Sequence, residues 1–239
     1  MLCINLGDTK MKIMVINGSP RIEKSNTIKL TNAFIDGLNE AGNNTVEKID
    51  VYKKNIKPCQ GCFGCWKKTP GKCVISDDME EIYIKYFETE LIIWSFPLYY
   101  YGMPSQVKAL VDRLFPNNYP EIINVDGRAG HPLRHDKEKQ KHVLISTCGF
   151  FTINNNYEAL VKQYEIMFGD RFVKILTPEG ELFNIPQLSD LTGKYFLNVK
   201  EAGREYIKQG YFSENIEHKL NEPLFQAEQF IEMANAHWK

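Results

Sequence analysis

The sequence predicts an α/β protein: a doubly wound, five-stranded parallel sheet followed by a helical C-terminal extension. Three observations predict it. Short apolar runs of the kind that form strands buried on both faces recur along the first two-thirds of the chain. Amphipathic helical stretches separate them. After Thr177 the strand patterns stop and helical ones continue.

The elements follow in order. KIMVIN, residues 12–17, is an apolar run ending at Gly18 and reads as the first strand. Residues 25–41 read as a helix, with Leu30, Phe34, Leu38 and Ala41 on one face and Gly42 as its C-cap. TVEKIDV is the second strand, and a cysteine-rich loop follows it. DDMEEIYIKYF starts with acids in its first turn and continues as a helix. ELIIWSF is the third strand, apolar through its middle. Pro104 opens the next helix, where its missing N–H costs nothing, and Val107, Leu110, Val111 and Leu114 form the buried stripe. KHVLIST is the fourth strand, residues 157–168 the next helix and RFVKIL the fifth strand. Repeated β-α units joined by right-handed crossovers give a parallel sheet covered on both faces. Residues 117–141, rich in Gly, Pro and charge, read as an inserted loop. In the extension, NVKEAGREYIKQG and EPLFQAEQFIEMANAHW are the candidate helices. The expected division is a leader at 1–10, a sheet domain at 11–176 and the extension at 177–239.

Composition narrows the function. The chain has 239 residues, 43% hydrophobic and 25% charged, enough for a core that needs no disulfides. A net charge of −1 without a basic segment argues against a nucleic-acid partner. The most apolar stretch, residues 91–103, contains Pro97 and is too short to span a bilayer, so no membrane partner is expected. No secretory pattern stands at the start, and the expected compartment is the cytoplasm, where disulfides are rare.

In a doubly wound sheet, ligands bind at the carboxyl ends of the strands. Three such ends are informative. NGSPRIEKSNT offers Ser19, Ser25, Asn26 and Thr27 as short polar groups before a helix N-terminus, with Arg21 adding charge, which makes an anion site. It is neither a Walker loop nor G-x-G-x-x-G, and taken alone its Ser and Asn are ordinary helix caps. SFPLYYYGMPSQ crowds aromatic groups at the end of the third strand, where the tyrosines suit either a flat ring or the core. STCGFF ends the fourth strand, with Gly149 permitting close backbone approach.

With NGSPR…SNT, SFPLYYYGMPSQVKALVDR and STCG in these places, the chain resembles the NAD(P)H-dependent FMN reductases of the flavodoxin-like fold over about residues 11–176. The resemblance implies FMN as cofactor, with Ser19, Arg21, Ser25, Asn26 and Thr27 on its phosphate. Pro97, Leu98, Tyr99, Tyr100 and Gly102 would face the ribityl chain and ring, and Thr147, Cys148 and Gly149 would make the third contact. It also implies hydride transfer from NAD(P)H to the flavin and onward reduction of a small acceptor such as a quinone, with no side chain obliged to act as acid or base.

PCQGCFGCWKKTPGKC holds four of the six cysteines, spaced C-x2-C-x2-C-x7-C. Structural zinc usually takes two separated pairs, and the compartment disfavours a disulfide. Two readings remain. Cys59, Cys62, Cys65 and Cys73 hold a [4Fe–4S] cluster, or they pack as small apolar groups. The loop resembles that of the iron–sulfur flavoproteins, with a longer final gap, which implies an electron-transfer protein working with ferredoxin as the alternative. His131 and His135 stand i, i+4 in a polar loop around Pro132, which disfavours a metal pair; Arg128, Arg134 and His131 read as a solvated loop, against a weaker reading as partners for the 2′-phosphate of NADPH. Asp112 and Arg113 read as surface or ion-paired residues, and Cys3 as inert. The exposed tyrosines and the insertion predict a homodimer or homotetramer.

Overall fold

A computed structural model describes residues 10–40, 42–125, 127–135 and 140–236. Apart from Lys10, the expected leader with Cys3 lies outside these residues, as do Ala41 and Trp238. The strands are β1 (Lys12–Asn17), β2 (Thr45–Asp50), β3 (Leu91–Pro97), β4 (Ile123–Val125), β5 (Arg128–Gly130), β6 (Lys141–Thr147) and β7 (Phe172–Thr177). The helices are α1 (Asn26–Glu40), α2 (Gly64–Lys67), α3 (Met79–Phe87), α4 (Ser105–Asp112), α5 (Glu158–Phe168), α6 (Ser189–Gln209), α7 (Glu214–Asn221) and α8 (Ala227–Ala236).

The main sheet has the order β2-β1-β3-β6-β7, and every neighbouring pair in it is parallel. The chain reverses its winding between β1 and β3, so the loops leaving those two strands flank a crevice. β3 is buried from Leu91 to Phe96 because helices cover both of its faces, which is why its sequence does not alternate. Successive side chains still go to opposite sides. Ile13, Val15, Ile93 and Val143 pack with Leu30 and Phe34 of α1 and Tyr195 and Val199 of α6. Met14, Ile16, Ile92 and Trp94 pack with Ile82 of α3, Leu110 of α4 and Leu160 of α5.

The extension therefore completes one face of the sheet. α6 crosses α1 at two glycines: a Cβ on Gly37 would run into the Lys200 carbonyl, and one on Gly203 into the Phe34 carbonyl. The backbones approach closely there because neither side chain intervenes.

Three local expectations change. The insertion read as a loop carries the antiparallel pair β4–β5, closed by Gly127 at φ +82°, the left-handed conformation that a tight hairpin turn needs. The helix expected at 198–210 begins nine residues earlier, at Ser189. Within the described residues the last candidate helix starts at Ala227 rather than Glu222, and α7 precedes it, with Ser213 Oγ accepting from the Ile216 N–H at 3.4 Å as its N-cap. Among the described residues no helix is long and apolar enough to cross a membrane.

Candidate functional site

β1 delivers the first loop. Gly18 N–H donates to Ser95 O at 2.8 Å, tying the loop to β3. A Cβ on Gly18 would strike Val107 of α4 and Phe96, so only glycine lets loop, strand and helix meet. Asn17 fixes the turn: its Oδ1 accepts from Ser19 N–H at 3.2 Å and its Nδ2 donates to Asp50 Oδ1 at 2.8 Å. Ser25 Oγ accepts from Ile28 N–H at 3.4 Å and so caps α1. The other first-turn N–H groups have no partner within the helix, and they give this end its positive character.

The three strand ends converge. One cavity is lined by Ser19, Arg21, Ser25, Asn26 and Thr27 from the first loop, by Pro97, Leu98 and Tyr99 from the second, and by Thr147, Cys148 and Gly149 from the third. The loops are cross-braced: Thr27 Oγ1 lies 2.7 Å from Thr147 Oγ1, and Leu98 N–H donates to Thr147 O at 2.8 Å. Cys148 N–H donates to Thr177 O at 3.0 Å, and burial pushes its thiol pKa up. This sulfur therefore stays a neutral thiol at neutral pH.

Tyr100 and Gly102 fall outside the lining of that cavity and lie in a tight hairpin beside it. Tyr99 and Gly102 exchange backbone hydrogen bonds of 3.0 Å each. Between them Tyr100 and Tyr101 take left-handed φ values of 47° and 65°, a conformation that costs on the order of 1 kcal/mol each. Tyr100 is 98% exposed. Tyr101 lies near-parallel to Phe150, at 13° and 6.3 Å between ring centroids.

Sequence reasoning missed a fourth strand end. Gly180 and Glu181, after β7, complete the same cavity. Applying the strand-end rule to TPEG after the fifth strand would have found them. The Asn26 amide donates to Gly180 O at 2.6 Å, so this side chain braces the fourth loop and leaves its backbone N–H for a ligand. Arg21 pairs with Glu181 at 3.3 Å across the mouth, with the side chains 54% and 66% exposed. Glu179 is buried at φ +57°, and its carboxylate accepts from the Leu224 and Phe225 N–H groups at 2.8 and 3.2 Å, fastening the extension beside the site. Burial pushes its pKa up against those two bonds.

The cysteines line a second cavity, of about 350 Å³. Cys59, Cys62, Cys65 and Cys73 share it with Asp112, Arg113, Phe115 and Pro116. Left-handed turns at Gly61 and Phe63, with φ of 62° and 53°, fold the loop back on itself. Cys65 is buried, and its pKa is raised first by that burial and then by the charges of Cys73, Cys59 and Cys62. Trp66 donates Nε1–H to Asn118 O at 2.7 Å and lies 4.7 Å from the Phe115 ring, joining the loop to the insertion.

Arg113, expected at the surface or in an ion pair, takes the ion pair. Its side chain is 1% exposed and that of its partner Asp77 is 0%, and two bonds of 2.8 and 2.9 Å make a bidentate pair. The guanidinium also donates to Lys57 O at 2.7 Å and to Ile75 O at 3.3 Å, while Asp77 accepts from Lys57 N–H at 2.9 Å. Asp112, beside it, pairs with Lys108 at the surface.

Among the described residues no group of three or more His, Cys, Asp or Glu side chains is gathered around a point where one metal ion would sit. His131 instead lies tilted against Trp66 at 5.1 Å, and His135 stacks on Phe87 at 4.7 Å. Arg134 lies over the Tyr119 ring at 4.1 Å. The two cavities have no lining residue in common.

A parallel sheet in this order, with a polar crevice at its switch point, defines the doubly wound proteins that bind a nucleotide-like ligand at the strand ends. Over residues 11–173 the chain matches the family described as having a flavodoxin-like fold, and it belongs to that family. An iron–sulfur flavoprotein of Methanocaldococcus jannaschii is 42% identical over 106 residues, 44% of this chain and 53% of that protein. A second iron–sulfur flavoprotein from the same organism is 32% identical over 150 residues, 60% of this chain and 72% of its own length. The chain spans about half the length of the first curated relatives it matches. Among solved structures, an FMN-dependent NADH-azoreductase from Bacillus anthracis in complex with FMN superposes with a TM-score of 0.60 at 18% identity, covering 82% of this chain and 99% of that one. The NAD(P)H:quinone oxidoreductase of Methanothermobacter marburgensis does so at 0.59 and 16%, covering 82% and 97%. At these identities the likeness is one of fold.

Proposed function

We propose that this chain is an FMN-dependent oxidoreductase that takes a hydride from NAD(P)H and reduces a small acceptor such as a quinone, a free flavin or a similar electrophile. The observation that carries the reading is the meeting of three strand-end loops on one cross-braced cavity. Ser19, Ser25, Arg21 and the first-turn N–H groups of α1, those of Asn26 and Thr27 included, would hold the phosphate. Pro97, Leu98, Tyr99, Tyr100 and Gly102 would flank the ribityl chain and ring, and the backbone of Thr147, Cys148 and Gly149 would meet the polar edge of the ring. A single phosphate loop, with no dinucleotide fingerprint, favours FMN over FAD. Bound FMN would supply the redox chemistry, and the protein's part is to orient the ring and hold donors toward the edge where negative charge gathers.

Anaerobic addition of NADH or NADPH to the flavin-loaded protein tests this. Rapid loss of the oxidised flavin's visible absorbance is expected, and a flavin that stays oxidised with both donors overturns the reading. Replacing Ser25 and Asn26 together by Ala removes the Ser25 hydroxyl from the phosphate and the Asn26 brace on Gly180, and should weaken FMN by about 2 kcal/mol; unchanged affinity would remove the loop assignment.

A second reading is an iron–sulfur flavoprotein that passes electrons to or from ferredoxin. It is favoured by four cysteines on one cavity and by relatives that bear the name. Ligands of one zinc all stand about 2.3 Å from it, whereas a cubane spreads its thiolates over four irons and tolerates wider spacing. The donor set therefore fits a [4Fe–4S] cluster on Cys59, Cys62, Cys65 and Cys73 better than a lone ion. Iron and acid-labile sulfide in anaerobically prepared protein decide between the readings, with about four irons per chain expected for the cluster and fewer than about two against it. We further propose a cytoplasmic homodimer or homotetramer, supported by the exposed Tyr99, Tyr100 and Tyr101 beside the strand-end cavity. A monomer in light scattering with flavin retained would refute the assembly.

A further inference from the structure

We propose that Arg113 is a positioning residue for the cysteine set: it clasps both stems of the loop, and its remaining donor, Nε–H, is held for the Cys73 sulfur. The proposal rests on the cluster reading. Lys57 stands two residues before Cys59, and Ile75 two residues after Cys73. One guanidinium binds the carbonyls of both, at 2.7 and 3.3 Å, so a single side chain fixes the distance between the entry and the exit of the loop. Asp77 supports the same clasp from the other side, accepting from the guanidinium and from Lys57 N–H.

That leaves Nε. It is buried and has no partner that meets hydrogen-bond geometry, in a side chain whose other nitrogens are all engaged. An unmade bond on a buried charged group is costly, which marks this donor as one held for a ligand. Arg113 lines the cavity of the four cysteines, and the Cys73 side chain stands within reach of the guanidinium. A buried cation there opposes the negative charge of a thiolate-ligated cluster, and a hydrogen bond to a ligand sulfur is one of the features that set cluster potential. Cys73 is also the ligand across the long gap, the one the loop sequence positions least.

The test uses the anaerobically prepared full chain with Arg113→Lys, which keeps the charge and loses the fork. A second protein, Arg113→Gln with Asp77→Asn, leaves no unpaired buried charge and covers the case in which Arg113→Lys does not fold. FMN content should stay at the wild-type level, since the strand-end cavity does not include Arg113. In a chelator competition iron should be held about 10–100-fold more weakly, the usual effect of removing an outer-shell partner. In an EPR-monitored titration the cluster midpoint should move to lower potential. In metal-free protein, hydrogen–deuterium exchange should rise across residues 57–77 and not across residues 17–27. Iron retention and midpoint equal to wild type in a folded variant would overturn the proposal. If wild-type protein binds no iron, the cluster reading falls, and the exchange comparison alone then upholds or overturns the clasp.

Discussion

Around the strand-end cavity the bracing bonds run between the ends of parallel strands: Gly18 N–H to Ser95 O, Leu98 N–H to Thr147 O, Cys148 N–H to Thr177 O. Around the cysteine cavity the two stems of the loop are braced by one buried ion pair with the two carbonyls it gathers, and Trp66 ties the loop's middle to the insertion. The first site inherits its shape from the sheet, so many small bonds share the task and each can be lost singly. The second is a loop outside the sheet, and its closure depends on one guanidinium and one carboxylate. Robustness at the first site and fragility at the second follow from where each lies in the fold.

The largest expected effect tests that fragility. Asp77→Ala leaves Arg113 charged and unpaired in the interior and should lower unfolding free energy by about 3–5 kcal/mol in chemical denaturation. Asp112→Ala, which removes the exposed partner of Lys108, should cost less than about 1 kcal/mol. Similar costs for the two would erase the contrast. Gly18→Ala is the strongest single challenge to the strand-end site, because the added methyl meets Val107 and Phe96. It should cost about 1–3 kcal/mol by overpacking and weaken FMN, both visible in thermal melts with and without the flavin.

Acid should separate the two regions next. Burial works to raise the Asp77 pKa, but the bonds from Arg113 and from the Lys57 and Met79 N–H groups hold it below its ordinary 3.8. A depressed folded value means the clasp contributes fully above the ordinary value and is lost as pH falls through the lower one. Wild-type stability should therefore drop more steeply than that of Asp77→Asn between about pH 5 and pH 2, and parallel curves would contradict this. The smallest effect concerns the mouth of the first cavity. Glu181→Gln releases Arg21 from an exposed pair and removes a negative charge facing the phosphate position, so FMN should bind tighter by less than about 1 kcal/mol. Added salt should shrink the difference, and weaker binding would refute the geometry of the pair.

The strands were legible because β1, β3 and β6 are buried on both faces and read as unbroken apolar runs. The cradle was legible for a related reason: the ends of those runs are sharp, and the polar residues after them must meet at the switch point. What escaped depends on partners distant in sequence. Nothing near Arg113 announces Asp77, thirty-six residues back, so a charged residue after a helical stripe reads as surface or ion-paired with no partner or burial assigned. Asn26 looks like a free donor until Gly180 arrives from the far end of the sheet to take its amide. Glu181 was missed because the extension seemed to begin at Thr177, whereas the cavity continues past it. The hairpin β4–β5 is three residues a side, too short to show period-two alternation.

The crossing of α6 over α1 also governs how the chain is made. The residues that cover Leu30, Phe34, Val15 and Ile93 leave the ribosome well after them, because Tyr195, Val199 and Tyr206 lie in α6. Between the emergence of α1 and that of α6 lies on the order of ten seconds of translation, during which one side of the nascent sheet is apolar and uncovered. The N-terminal part can collapse early through its local β-α-β contacts, but this face closes only when a segment distant in sequence returns to it. A chain released before α6 has emerged should thus be a chaperone client, however well its first 170 or so residues (roughly one domain's length) match a self-sufficient fold.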